Sequence, residues 1–155
     1  MSQKNLPPGE PEDHALGRSQ GGFGTKVHVL CDGEGVPLAV TVSPGQEHET
    51  KQFVPLMEEA TAWPEQPEKV AGDKGYSADW VRTWLKERGI KPVIPHKSNE
   101  KGRRKRFDRA SYRRRNIIER CINSLKWFRR VATRYEKLAI HYVGMLTLAI
   151  IFRLL

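Results

Sequence analysis

The 155-residue chain has only two cysteines, Cys31 and Cys121, and neither has a Cys or His companion at metal-ligand spacing. That excludes a cysteine-based metal site, and both residues read as small apolar side chains in a reducing compartment. Nothing reads as a secretory leader, so the expected location is cytoplasmic. Long apolar runs are missing as well. The run from Tyr142 to Phe152 is shorter than the ~20 residues needed to span a bilayer, and Arg153 interrupts it. It reads as a core helix that ends the domain, with no membrane partner. Acid is scarce near the end: only three Asp or Glu follow residue 100, against 16 Lys or Arg, whereas the first 100 residues hold 15 and 11. The net charge of +9 therefore has its basic footprint in the C-terminal third, which points to a polyanion partner. DNA, RNA or an acidic membrane would each satisfy that charge.

What is present suits one α/β domain with a real core. Residues 1–20, rich in Pro, Gly, Gln and charge, read as a flexible arm, and residues 21–155 as the folded part. Residues 25–31 and 37–42 alternate around Asp32-Gly33-Glu34-Gly35 and predict a β-hairpin, with Asp32 as a turn residue. A helix is expected over 49–60, a short strand over 69–72, and a helix opened by Ser77 as N-cap and ended by Gly89. Another strand is expected over 91–95, then a basic loop over 97–106 and a long helix from about Asp108. Strands alternating with helices mean an α/β layered fold.

The long helix carries the most informative pattern. At roughly 100° per residue, Tyr112, Arg115, Glu119 and Lys126 fall within an arc of roughly 60°. Ile117, Ile118, Cys121, Ile122, Leu125 and Phe128 centre roughly 120° away from that arc. One face is thus apolar, and the other holds a phenol, a guanidinium, a carboxylate and an ammonium. For Glu119 alone, a surface pair with Arg115 is the plainer reading. It leaves unexplained why one of the three late acids lies on that face.

Asp73 stands where a strand ends and the chain turns towards a helix, the edge at which α/β sheets hold ligands. By itself Asp73-Lys74-Gly75 is a turn in which Gly75 supplies an unusual backbone angle. With Glu119 it makes a pair of distant carboxylates on a basic molecule, which is what a Mg²⁺ site for phosphodiester chemistry requires. Gln46-Glu47-His48-Glu49 is explained by capping and solvation. A non-catalytic basic DNA-binding module and a basic RNA-binding protein are the competing classes.

Gly21-Gly22-Phe23-Gly24-Thr25-Lys26, Asp73-Lys74-Gly75-Tyr76, and the Tyr-Arg-Glu-Lys spacing followed by Arg129-Arg130-Val131-Ala132-Thr133-Arg134-Tyr135-Glu136-Lys137-Leu138 resemble the DDE transposases of bacterial insertion sequences. The resemblance implies a ribonuclease H-like mixed sheet with flanking helices, and two aspartates and a glutamate binding two Mg²⁺ or Mn²⁺ ions that cut and join DNA. By position Asp73 matches the second aspartate and Glu119 the glutamate. Tyr112, Arg115 and Lys126 match DNA-contacting residues, and Lys74, Arg129 and Arg130 join them as expected DNA contacts. The first aspartate belongs on an opening strand upstream of Gly21, where this chain offers only Asp13 in a Pro-rich setting. The expectation is therefore the C-terminal catalytic portion, lacking the first core strand and inactive or incomplete alone, either half of a frameshifted enzyme or a decayed copy. The active assembly would be a homo-oligomer on element ends and target DNA.

Overall fold

A computed structural model describes residues 13–60, 65–98, 100 and 107–155. Residues 1–12 of the expected arm and most of the expected basic loop at 97–106 lie outside the described residues. Strand β1 (Gly17–Ser19) folds back onto β2 (Gly22–Cys31), which pairs antiparallel with β3 (Pro37–Pro44). The expected boundary at residue 20 thus falls inside the first hairpin. In the second hairpin the Asp32 carboxylate accepts from the amides of Glu34 and Val36 at 2.8 and 2.9 Å. Gly35, at φ +89°, takes a backbone angle that side chains resist, and the chain reverses there.

A 3-10 turn (Glu49–Gln52), capped by His48, runs into α1 (Phe53–Ala60), so the expected single helix is a tight turn followed by two turns of α-helix. Pro55 is tolerated because it lies in the first turn, where an amide has no helical partner. Then β4 (Lys69–Ala71), α2 (Asp79–Glu87) and β5 (Lys91–Val93) make a parallel β-α-β unit. Gly89, at φ +72°, follows the end of α2 as expected. The Ser77 cap does not form. Ala78 holds the cap position without a side-chain bond, and the Ser77 hydroxyl instead accepts from Arg82 Nη2 at 2.6 Å and meets the Glu100 carboxylate.

Among the described residues the strands make two sheets, β1-β2-β3 and β4-β5, in a mixed α/β fold. The C-terminal third is helical: α3 (Arg109–Arg113), α4 (Asn116–Leu125), α5 (Arg129–Ala132) and α6 (Ala139–Leu154). The expected continuous helix breaks at Arg114-Arg115, where amides of Arg115, Ile117 and Ile118 bond to carbonyls three residues back. Two cores result. Val40, Cys121, Leu125, Tyr142 and Leu146 join the hairpin to α4 and α6. Phe53, Met57, Val70, Val81, Leu85 and Ile94 join α1 and α2 to the parallel strands. Phe128, expected on the buried side, is 37% exposed because it lies past the end of α4, in the turn that opens α5. The closing helix α6 is buried on one side only, leaving Ile140, Leu148, Ile151 and Phe152 exposed. Among the described residues no helix is long and apolar enough to cross a membrane.

Candidate functional site

Asp73 leaves β4 through Gly72, whose amide donates to the Val93 carbonyl at 3.3 Å and so continues the strand pair by one rung. Asp73 then caps the 3-10 turn Lys74–Tyr76, its Oδ1 accepting from the Gly75 amide at 2.8 Å. Gly75 does not adopt a left-handed angle, contrary to expectation. Space there is short instead: a Cβ at Gly75 would lie 2.9 Å from Asp73 Oδ1 and 3.1 Å from Glu49 Cδ, so one of those side chains would have to move. Asp73 and Lys74 are both exposed, so the carboxylate faces solvent from the end of the strand.

Glu49 was unreadable as part of this arrangement from sequence. His48 does act as a cap, its Nδ1 accepting from the Thr50 amide at 3.3 Å. The neighbouring Glu49 is different, packing against Gly75 while its Oε1 takes the Lys26 ammonium at 2.6 Å. Lys26 also donates to the Glu47 carbonyl at 2.8 Å. Burial raises the Glu49 carboxyl, but the Lys26 hydrogen bond and charge outweigh it and hold the group below its ordinary value. Two residues along β2, His28 reaches Tyr76 Oη at 2.8 Å. A strand 45 residues earlier in the chain thus touches the Asp73 turn directly through His28 and reaches it again by way of Lys26 and Glu49.

The other candidate carboxylate is held differently. The 3-10 spacing at Arg114-Arg115 brings residues three apart nearly into register, which keeps Tyr112 and Arg115 on one face despite the break. The Arg115 guanidinium lies 5.4 Å from the Tyr112 ring centre, and its Nη2 donates to Glu119 Oε1 at 2.8 Å. Tyr112, Arg115 and Glu119 therefore do share a side, and the Glu119 side chain is 58% exposed. Lys126 is exposed at the C-cap of α4. Arg129 is exposed on α5, and Arg130 pairs with Glu136 at 2.9 Å.

The start of this segment is tied to the sheet. Asp108 caps α3 by accepting from the Ser111 amide at 3.0 Å, and its Oδ2 meets the ammonium groups of Lys91 at 3.0 Å and Lys69 at 3.4 Å. The Ser111 bond and then the two lysines hold the carboxyl well below its usual range.

Among the described residues Asp73 and Glu119 share no hydrogen-bond partner, and each bonds through one oxygen. Oxygen donors suit a hard dication such as Mg²⁺. Their number does not complete a site: among the described residues no three His, Cys, Asp or Glu are grouped to hold a metal.

The model of the transposase DDE domain family matches residues 8–154. Over 126 aligned residues the chain is 31% identical to the transposase described for insertion sequence element IS402 of Burkholderia cepacia, covering 75% of this chain and 56% of that protein. It is 29% identical over 126 residues to the transposase described for IS6501 of Brucella ovis, covering 81% of this chain and 93% of that one. The chain thus spans little more than half the length of the first relative and nearly all of the second. No solved structure matches it. With nearly the whole chain inside the family match, this protein belongs to the DDE transposase family.

Proposed function

We propose that this chain is the C-terminal catalytic portion of an insertion-sequence transposase, with a ribonuclease H-like core, acting on DNA by Mg²⁺- or Mn²⁺-dependent phosphoryl transfer. The observation that carries the reading is the position of Asp73 at the strand end, with an acid in the matching family position, Glu119, on the basic helical segment. When bound, the metal would activate the attacking oxygen and stabilise the leaving one. Asp73 and Glu119 are the residues that would hold it. Arg115 orients Glu119, and the exposed Lys74, Lys126 and Arg129 would grip flanking phosphates.

Two carboxylates without a common partner make an incomplete site. In this reading the third ligand is the family's first aspartate, on a strand placed beside residues 25–31. In support, residues 25–31 of β2 pair with β3 alone and β4 pairs with β5 alone, so each sheet has an edge open to another strand among the described residues. Asp73→Ala or Glu119→Ala, each in a protein carrying the upstream sequence, is expected to abolish strand cleavage and leave DNA binding nearly intact. Cleavage surviving in both variants sinks the assignment.

A second reading is favoured by the net charge after residue 100: a non-catalytic DNA-binding module or transposase remnant. It expects salt-sensitive DNA binding indifferent to Mg²⁺ and to Asp73. Calorimetry with Mn²⁺ separates the two, since only the catalytic reading expects Asp73-dependent uptake.

A further inference from the structure

Three polar side chains from distant segments form one hydrogen-bonded line beside Asp73. His28 on β2 is only 4% exposed, with Nδ1 2.8 Å from Tyr76 Oη and Nε2 2.9 Å from Ser43 Oγ. Ser43, on β3, is fully buried. Burial disfavours the charged imidazolium, outweighing the pull of Glu49. A neutral ring has one N–H, so one of the two hydroxyls donates to it and the other accepts from it. Burial and the nearby Asp73 push the Tyr76 phenol well above its ordinary value, so its proton stays available for this line.

The line ends on the turn that carries Asp73. Tyr76 is the last residue of that turn, and its amide donates back to the Asp73 carbonyl at 3.2 Å. Asp73 closes the turn from the front through Gly75, and His28 pins it from behind through Tyr76. Lys26, two residues before His28 and so on the same face of β2, holds Glu49 against Gly75. A buried polar line is destabilising relative to apolar packing unless every member is satisfied, and here every ring nitrogen has a partner.

We propose that His28, Ser43 and Tyr76 form a positioning device for Asp73, fixing the turn against the hairpin and thereby the direction in which the carboxylate points. The proposal rests on reading Asp73 as the metal-holding carboxylate. None of the three touches substrate in this account, so they are positioning residues and not catalytic ones.

The test is amide hydrogen exchange at Gly75, followed by NMR, together with Mn²⁺-induced broadening of the Lys74 and Gly75 signals. Tyr76→Phe, which removes one oxygen, should speed Gly75 exchange roughly tenfold and leave the α2 amides unchanged. His28→Leu should do the same, the double variant should do no more than either, and His28→Gln, which keeps a donor and an acceptor, should restore most of the protection. Unchanged Gly75 exchange in Tyr76→Phe, or additive effects in the double variant, overturns the proposal. If His28→Leu fails to fold, Tyr76→Phe still decides it. Asp73→Asn judges the metal reading separately: broadening that survives it removes that reading, while the exchange results continue to judge the positioning line.

Discussion

The two candidate carboxylates sit in regions built on opposite plans. The Asp73 turn is held by side chains that reach across the sequence: Tyr76 to His28, 48 residues apart, and His28 to Ser43, 15 apart. Glu119 is held by one guanidinium four residues away on the exposed face of α4. Long-range contacts fix a group only when the whole layer has formed, whereas an i to i+4 pair forms wherever a helix does. The first carboxylate is thus preorganised by the fold, and the second is aimed by little more than its own helix.

The sharpest way to break this comparison is to remove the layer beneath Asp73. Leu85 is fully buried in the core shared by α1, α2 and the parallel strands. Leu85→Ala should cost about 3 kcal/mol, read by denaturant unfolding. Loss of Gly75 amide protection before that of Cys121 would show the two cores opening separately.

A smaller effect is expected from glycine. Gly75→Ala drives a methyl towards both Asp73 and Glu49 and should destabilise by about 1–2 kcal/mol. Gly144→Ala, in α6 with nothing within 4 Å of its Cβ, should stabilise by about 0.5–1 kcal/mol. Equal effects in thermal melts would show that space at Gly75 is not what selects glycine. The smallest change belongs to Arg115→Ala: a few tenths of a kcal/mol, vanishing in high salt. A loss beyond 1 kcal/mol would mean that Glu119 is held as firmly as Asp73.

Much of this was legible in the sequence because it is local. The alternation around Asp32-Gly33-Glu34-Gly35 located the second hairpin, Gly89 ended α2, and Asp73 was placed at a strand end. Tyr112, Arg115 and Glu119 were read onto one face, and they share it even though the helix breaks between them. What escaped was non-local. His28 reads as one more residue of an alternating strand, and nothing in its neighbours reveals that Tyr76 lies across the sheet. Glu49 was absorbed into a capping motif because its partners, Lys26 and Gly75, are more than 20 residues away on either side. Ser77 has the right chemistry for a helix cap, but the buried Arg82 competes for its hydroxyl and the helix starts without one. Gly75 was assigned to the turn for its backbone freedom, yet its φ is not positive and what the structure shows around it is the nearness of Asp73 and Glu49.

Asp108 has a meaning for the fold as well as for charge. It starts α3 at the Ser111 amide while holding lysines 39 and 17 residues earlier, at the beginnings of β4 and β5. The start of the basic helical region is therefore tied to the first rung of the parallel pair: one carboxylate both caps α3 and pairs with two lysines that stand opposite each other on β4 and β5.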